Sequence, residues 1–392
     1  MDGPNVLPVD VYQNQDFYVP AFVVKVGEKQ DITEANDVLS ITYTDSLTEI
    51  DSFDMTVSNW DPDNRTFKYS DKSLFNPWKN VELRMGYLGN GNKKDELQRM
   101  LTGEITTLSP NFPMSGGPTL TVRGLNLFHR FRLEQETHAF LNQTDTEIAE
   151  FLVKRIANQI RKTSSGMDLE LDRDDIKANK PREEKLRYPF LLMNNQYPIV
   201  FLMERARRIG YELTMNYTKE KNRVTFHFRP TSEVLRRTYI LEWGVSLNSF
   251  QPTFRTADQV SKVTVRGWDP KKKKPIVQTA TRADLKDQKV IDPNALGVND
   301  PQVAQEVTVD RPIASEKEAK KYAIDILRQK ATELITAKGQ TIGVPDLRAG
   351  VKVQIKGLGR FSGTYVITDT THTIGDGGYT TDFGARMEGS LG

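Results

Sequence analysis

Two stretches, one near each end of the chain, repeat the same pattern of strand-forming residues, and this duplication limits the possible folds more than any other feature. VELRMGYLG from Val81 aligns with VKVQIKGLG from Val351. After a turn, GEITTLSPNFPMSGGPTLTVRG from Gly103 aligns at a constant spacing with GTYVITDTTHTIGDGGYTTDFG from Gly363. Alternating apolar and polar residues with many β-branched types are typical of half-buried strands. The sequence therefore predicts two similar β-domains in one chain.

Glycines recur at matching positions of this alignment. The pairs are Gly103 with Gly363, Gly117 with Gly377, and Gly124 with Gly384. A small, strongly curved sheet needs bends and bulges where a residue without Cβ relieves crowding. We therefore expect each domain to be a barrel-like sheet.

A Trp-Asp-Pro tripeptide also occurs twice, at Trp60 in FDMTVSNWDP and at Trp268 in SKVTVRGWDP. Because Pro62 and Pro270 cannot donate a ladder hydrogen bond, each tripeptide is expected to end its strand. The indole rings are then expected to cover the mouths of the two barrels. This pairing makes Trp60 and Trp268 equivalent positions of the repeat.

Helical patterns lie between and within the two repeats. In NQTDTEIAEFLVKRIANQI, Thr144 and Glu147 form a capping box, and one helical face is apolar. That face carries Ile148, Phe151, Leu152, Ile156 and Ile160. A second helix is predicted from Pro198, suited to a first helical position, to Gly210, suited to the C-terminal cap. YELTMNYTKEKNRVTFHFRP, which follows, predicts a hairpin.

A third helix is predicted in SEKEAKKYAIDILRQKATELI, where Ser315 and Glu318 form another capping box. Its apolar residues Ile324, Ile326 and Leu327 are expected to pack in a core. The predicted fold is α+β, mainly β, with two similar β-barrel-like domains in tandem and a helix-containing insert domain between them. The predicted ranges are 1–130 for the first barrel, 131–235 for the insert, 236–275 with 340–392 for the second barrel, and 276–339 for a helical insert within it.

Composition excludes several classes of function. The chain of 392 residues has no cysteine, which rules out disulfides, thiol nucleophiles and cysteine-ligated metals. Its formal net charge of +2 predicts no general attraction to nucleic acid or anionic membranes. An apolar run of the about 20 residues that a membrane helix needs is missing, and so is a secretory leader. We expect a soluble protein assembled in a reducing cytoplasm, which the family resemblance described below implies to be bacterial.

Candidate catalytic residues do not form a known motif. The nearest to a catalytic pair is His372 with Asp376, but a solvated histidine at a strand end is the favoured interpretation. DPDN at Asp61–Asn64 does not continue as a calcium loop. Carboxylates at Asp168, Glu170 and Asp172 favour a hydrated strand face over a glycosidase pair. We therefore expect no catalytic residue, no cofactor and no metal site.

The basic run Lys271, Lys272, Lys273 and Lys274 is the best candidate for a binding patch. A solvated loop is the default interpretation of such a run. The alternative is a patch that faces a neighbouring subunit, a cargo or nucleic acid inside a channel.

The duplication also suggests a symmetry. Two similar domains per chain in a homotrimer would present six similar domains in a ring, which matches sixfold symmetry on one face and threefold symmetry on the other.

Three of these stretches carry a family resemblance: LTGEITTLSPNFPMSGGPTLTVRGLNLFHRF, the hairpin ending VTFHFRP, and the C-terminal GVPDLRAGVKVQIKGLGRFSGTYVITDTTHTIGDGGYTTDFGARM. They resemble the phage late control protein D family, over roughly residues 18 to 390. That family forms the baseplate hub of contractile tails and is similar to the N-terminal part of VgrG. The resemblance implies a trimeric hub between the hexameric inner tube and the trimeric spike, in contact with other baseplate proteins. Since the sequence ends at Gly392, the spike is expected to be a separate protein.

Two other classes of function stay open from the sequence. One is a peptidoglycan-degrading tail enzyme, and the other is a β-protein that binds carbohydrate or nucleic acid. Neither class explains the duplication as directly as a symmetric adaptor does.

Overall fold

The computed structural model describes residues 8–388 except 12–16, 18, 28–29, 32–36, 48, 90–96, 133, 163–167, 185–186, 189, 210, 219–222, 231–237, 256–258, 270–271, 286–303, 309–312 and 314. The helices are α1 (Asp145–Lys162), α2 (Arg173–Glu183), α3 (Pro198–Ile209) and α4 (Glu316–Thr332). The strands, in chain order, are β1 (Val9–Asp10), β2 (Pro20–Val26), β3 (Gln30–Asp31), β4 (Val38–Ser46), β5 (Ser52–Ser58), β6 (Trp60–Asp61), β7 (Thr66–Phe67), β8 (Asn80–Tyr87), β9 (Gln98–Asn111), β10 (Thr119–Asn126), β11 (Glu136–Phe140), β12 (Asp168–Leu171), β13 (Leu191–Gln196), β14 (Tyr211–Thr218), β15 (Arg223–Pro230), β16 (Tyr239–Glu242), β17 (Leu247–Phe254), β18 (Val260–Asp269), β19 (Lys274–Thr281), β20 (Ala304–Thr308), β21 (Ile335–Ile342), β22 (Lys352–Lys356), β23 (Gly363–Gly375) and β24 (Gly378–Met387).

Most of the strands belong to one 14-stranded sheet, which is built from two halves with the same strand order. In the first half the order is β2-β8-β9-β10-β5-β4, and in the second half it is β16-β22-β23-β24-β21-β17. The first strand differs, because β2 is antiparallel to β8 whereas β16 is parallel to β22. The described ladders close neither half into a complete barrel.

The strand-pairing registers define which residues of the two halves are equivalent, and they give a different alignment from the one predicted from the sequence. The β9–β10 ladder has a register shift between Arg123 and Gly124 of β10. The β23–β24 ladder has the equivalent shift between Gly384 and Ala385 of β24. Hence Arg123 corresponds to Gly384 and Gly124 to Ala385. The predicted match of Gly124 with Gly384 is wrong by one residue, which places the two glycines on opposite faces of their sheets.

The other glycine pairs have separate structural reasons. Gly103 lies within β9, where a Cβ would come within 2.0 Å of the Leu125 carbonyl oxygen. Gly363 instead begins β23, opposite Ile355 of β22, so these two glycines are not equivalent either. Gly117 and Gly377 both lie in the turns that end the two hairpins, where a Cβ would meet nothing within 4 Å.

The two tryptophans are not equivalent positions. Trp60 lies in β6, directly after β5, whereas Trp268 lies in β18 of a separate three-stranded sheet with the order β19-β18-β20. The counterpart of β5 in the second half is β21. The strands do end where the tripeptides predict, at Asp61 and at Asp269. The shared tripeptide therefore marks two strand ends in different settings, and Pro270 lies outside the described residues.

Four hydrophobic clusters form the interior of the described part of the chain. The first half of the main sheet encloses one, and residues 127–228 form a second around α1, α3 and β15. The second half encloses a third, to which Val11 contributes from the N-terminal end of the chain. The fourth lies between α4 and the sheet of β18. β18, which lies in the range predicted for the second barrel, contributes its buried residues to this fourth cluster.

The three predicted helices are present as α1, α3 and α4, whereas α2 was not predicted. The Thr144 hydroxyl accepts from the Glu147 N–H at 3.3 Å, and a Glu147 carboxylate oxygen accepts from the Thr144 N–H at 3.1 Å, which confirms the capping box of α1. Helix α3 begins at Pro198, but Gly210 lies outside the described residues. Leu327 of α4 is fully buried, with Ile324 and Ile326 packed beside it. Among the residues that the structure describes, no helix combines the length and the apolar character that a membrane span requires.

Candidate functional site

Among the described residues, the two halves of the main sheet meet at one ladder. The distal part of β23 pairs antiparallel with β4, from Asp369 opposite Ser46 to Ile374 opposite Ile41. Beyond this ladder, Ile374 and Tyr379 of the β23–β24 hairpin pack in the hydrophobic cluster of the first half. The second half therefore completes the interior of the first. We call this contact the internal joint.

A charged cluster lies at the centre of the internal joint. Arg348, in the segment between β21 and β22, donates to an Asp45 carboxylate oxygen at 2.8 Å and to the Met100 carbonyl oxygen at 3.1 Å. The same guanidinium donates to the Tyr43 hydroxyl and lies 4.4 Å from the centre of that ring. Asp45 also accepts from the Thr370 hydroxyl on β23. One arginine thus ties residues of β4 and β9 to the far end of the chain.

A second carboxylate, that of Asp51, faces this cluster, and the cluster changes its pKa. Burial and the Asp45 carboxylate raise the pKa of Asp51 to about 6, and they outweigh Arg348 and the hydrogen bonds from Asn126 and Tyr43. For Arg348, burial acts to lower the pKa, but Tyr43 and the two carboxylates outweigh burial and hold it above its ordinary value. The cluster therefore holds two carboxylates against one guanidinium.

His372 lies beside this cluster and is fully buried, which corrects the expectation of a solvated strand end. One ring nitrogen lies 3.0 Å from the Leu347 carbonyl oxygen, and the other lies 3.0 Å from both the Tyr379 and Thr381 hydroxyl groups. Burial and the nearby Arg348 lower the pKa of His372 to about 3. A histidine held neutral by such contacts is a packing residue of the joint, and no hydrogen bond joins it to Asp376 in the described structure.

Sequence reasoning missed this cluster because its residues lie far apart in the chain. A local signal was present, since Ile41, Tyr43 and Asp45 occupy alternate positions of β4, and all three are buried. A carboxylate at an inward position of a strand requires a buried partner. The sequence alone does not identify Arg348 as that partner.

A second buried ion pair connects the first half to the domain that follows it. Glu104 of β9 is fully buried, and its carboxylate contacts the His129 ring at 3.0 Å and accepts from the Arg130 guanidinium. Burial acts to raise the pKa of Glu104, but its bonds to His129 and Arg130 outweigh burial and lower it. The pair fixes the short helical turn at Leu127–Phe131, through which the chain enters the next domain.

The predicted carboxylate face is only partly extended. Asp168 and Glu170 lie on β12, and Arg223 of β15 bonds to both. Asp172 instead caps α2, where its side chain accepts from the N–H groups of Asp174 and Asp175. The carboxylates of Asp172 and Asp175 lie close to the His227 ring. Among the described residues, these three side chains form the group whose side-chain types and spacing could hold a metal ion. Helix capping and a 3.1 Å contact between Asp175 and His227 explain this group without an ion.

The basic run lies in the turn between β18 and β19. Lys272, Lys273 and Lys274 are exposed, and Lys271 lies outside the described residues. The Asp269 carboxylate accepts from the Lys272 N–H at 3.0 Å, as in an ordinary polar turn. Trp268, at the end of the same strand, is 56% exposed rather than covering a barrel mouth.

Two shallow cavities indent the described surface. One, of about 650 Å³, is lined by eight residues including Glu49, Trp78, His129 and Arg132. The other, of about 530 Å³, is lined by Lys68, Lys72 and Lys79 with three further residues. Neither lining pairs a serine or threonine nucleophile with a general base within the described part of the chain, so the joint is the stronger candidate for function.

Solved structures with this fold come from phage tails and type VI secretion. The 43 kDa tail protein of prophage MuSo2 from Shewanella oneidensis superposes with a TM-score of 0.64 and 15% identity, covering 94% of this chain and 98% of that one. A tail protein from Neisseria meningitidis has a TM-score of 0.61 and 12% identity, covering 94% and 97%. An Escherichia coli component of the type VI secretion system has a TM-score of 0.51 and 14% identity, covering 94% and 77%.

These matches confirm, at the level of the fold, the predicted resemblance to phage-tail hub and VgrG-like proteins. No curated protein sequence matches the chain. One family model matches residues 18–170 and 200–376, which together make up most of the chain. The chain belongs to the family described as the Alg8 N-terminal domain.

Proposed function

We propose that the protein is a structural hub of a contractile phage tail or of a related injection system. Three copies form a ring of six similar sheet halves, which joins the sixfold inner tube to a separate threefold spike protein. Other baseplate proteins bind around this ring, and the protein itself catalyses no reaction.

The observation that carries this proposal is the pair of halves with one strand order. A chain that contributes two equivalent units to a threefold assembly presents both a threefold and an approximate sixfold arrangement. The internal joint supplies a fixed angle between the two units, because a buried ion pair and a continuous ladder hold them together.

The matched structures support the same role. They include tail proteins of two prophage or bacterial sources and a type VI secretion component, all with this fold over 94% of the chain. The shared fold alone does not determine function, so the role needs a direct test.

The test is to tag the chain in producing cells, purify what sediments with it, and count copies per particle by quantitative mass spectrometry and electron microscopy. Three copies at one end of a sheathed rod, next to tube and spike proteins, are expected. A freely soluble chain without tube protein would contradict the proposal. Incubation with cell-wall sacculi completes the test, because turnover that one carboxylate substitution abolishes would show that the protein is an enzyme.

A further inference from the structure

The internal joint is formed by β4 of the first half and β23 of the second half. Each of these strands has a counterpart in the other half, and the two counterparts are not paired with each other in the described structure. In the second half, β17 corresponds to β4, and among the described residues it pairs with β21 alone. In the first half, β9 corresponds to β23. Its distal residues Thr107–Asn111 pair with β10 on one side, whereas β8 pairs only with the part of β9 up to Glu104.

The pairing registers give the correspondence residue by residue. Taken from the shared register shift, Thr370, His372 and Ile374 of β23 correspond to Leu108, Pro110 and Phe112 of the first half. Following the ladders through β5 and β21, Ile41, Tyr43 and Asp45 of β4 correspond to Phe250, Pro252 and Phe254 of β17.

The row formed by Leu108, Pro110 and Phe112 differs in exposure from its counterpart in β23. In the internal joint Thr370, His372 and Ile374 are buried. In the first half Pro110 and Phe112 are exposed, Phe112 by 56%, although the row is entirely apolar. The tip that follows it carries Met114, whose side chain is fully exposed. An exposed apolar row on a strand that lacks a partner on one side marks an interaction surface.

We propose that this row packs against β17 of a second copy of the chain. Leu108, Pro110 and Phe112 of one copy then face Phe254, Pro252 and Phe250 of the next copy, respectively. We call this contact the external joint. It rests on the proposed ring and specifies how neighbouring copies meet in it, since repeating the contact head to tail alternates internal and external joints around the ring.

The chemistry of the two rows supports a second copy as the occupant. All six side chains are apolar, and the neighbouring positions Ser109, Asn111, Gln251 and Thr253 are uncharged. The two prolines face each other at the centre and bring no N–H groups to a ladder. The external joint therefore keeps the antiparallel register with fewer ladder hydrogen bonds, and it depends more on burial of side chains than the internal joint does. Prolines at these edges also hinder pairing with unrelated strands.

Cysteine cross-linking tests this contact cleanly, because the chain has no cysteine of its own. Ser109 corresponds to Thr371 and Thr253 to Thr44, and Thr371 and Thr44 are opposite each other in the internal joint. Directly opposite residues of an antiparallel pair have Cβ atoms about 4.5–5.5 Å apart, close enough for a disulfide after small adjustments. The variant Ser109→Cys with Thr253→Cys is expected to form covalent dimers and trimers, and no larger species, on mild oxidation.

Three controls accompany it. The matched pair Thr44→Cys with Thr371→Cys is expected to cross-link within one chain and leave its mass unchanged. Neither single variant at the external joint, Ser109→Cys or Thr253→Cys, is expected to give covalent species alone. A mixture of the two single variants is expected to give covalent dimers, which shows that the contact is between chains.

A second variant tests the apolar row by itself. Phe112→Asp is expected to raise the dissociation constant of the trimer by about tenfold or more, because the contact would bury an unpaired charge. Its thermal unfolding as a monomer should change only slightly, since Phe112 is 56% exposed and its ring contact within the chain is with Phe67. Leu141→Asp is the control, since Leu141 is 65% exposed and lies outside both joints.

The outcomes separate the two proposals. The external joint would be overturned, and the ring left intact, if the chain sediments as a trimer but the Ser109→Cys, Thr253→Cys variant forms no cross-link between chains. A trimer that fully tolerates Phe112→Asp would have the same meaning. Monomers at every concentration, together with fewer or more than three copies per particle, would overturn both. Cross-linked trimers that Phe112→Asp disrupts are the expected result.

Discussion

Asp51 makes the joint between the two halves dependent on pH, and the direction follows from its raised pKa. Below about pH 3 the carboxyl is protonated in both the folded and unfolded chain. Between there and about pH 6, the folded state holds its proton more tightly than the unfolded state, since the folded pKa is about 6 against an ordinary 3.8. Stability from this group is therefore present at low pH and is lost as pH rises through 6.

The size of the effect follows from the same shift. A shift of about 2 pKa units corresponds to about 3 kcal/mol, because each unit corresponds to about 1.4 kcal/mol. Asp51 is only half-buried, so screening by solvent reduces the expected value to about 1–2 kcal/mol. Asp51→Asn has the same shape without the charge, and it should stabilise the joint by this amount at pH 8 and by about half as much at pH 5.

Hydrogen exchange measures this locally. The amides of β4 and β23 should be about 5 to 30 times better protected in Asp51→Asn than in the wild type at pH 8, after correction for the intrinsic effect of pH on exchange. Asp382→Asn, on the exposed face of β24, is the matched control and should change protection at neither pH. Equal effects of Asp51→Asn at pH 5 and pH 8, or a loss of protection at pH 8, would refute the reasoning.

Three further perturbations test the rest of the structure. Arg348→Met should weaken the joint by about 3 kcal/mol, since it leaves Asp45 buried without its cation, and hydrogen exchange should show the loss in β4 and β23 but not in α1. Gly103→Ala should lower the thermal midpoint by the equivalent of about 1–3 kcal/mol because its Cβ would meet the Leu125 carbonyl oxygen, whereas Gly117→Ala, in open space, should not change it. Replacing Lys271, Lys272, Lys273 and Lys274 together by glutamine should leave particle assembly and delivery unchanged if they form a solvated turn, and failed delivery would support the channel patch instead.

The sequence predicted the features that depend on local periodicity. The alternation in DVLSITYT and NVELRMGY corresponds to β4 and β8, and the capping box at Thr144 begins α1. The duplication was also recognised, although its detailed alignment was not. The sequence alignment pairs Gly124 with Gly384, because a sequence carries no local sign of the register shift within each hairpin.

The missed features depend on contacts between distant residues. Trp268 was matched to Trp60 because their flanking residues agree, but α4 provides an apolar face that draws β18 into a separate sheet. Helix α2 was missed since its sequence RDDIKANKPRE has little apolar periodicity and contains Pro181. The ion pair between Arg348 and Asp45 spans 303 residues, a separation at which no local pattern is informative.

The internal joint also determines when the chain can fold. The interior of the first half includes Ile374 and Tyr379, which the ribosome adds long after the other residues of that interior. The strands of the first half must therefore wait, with part of their apolar surface uncovered, until β23 and β24 have been synthesised. Closing contacts over such long stretches of chain slows folding and prolongs exposure to aggregation. Folding of the first half is thus expected to finish only after β23 has left the ribosome, at a rate limited by the return of β23 to β4.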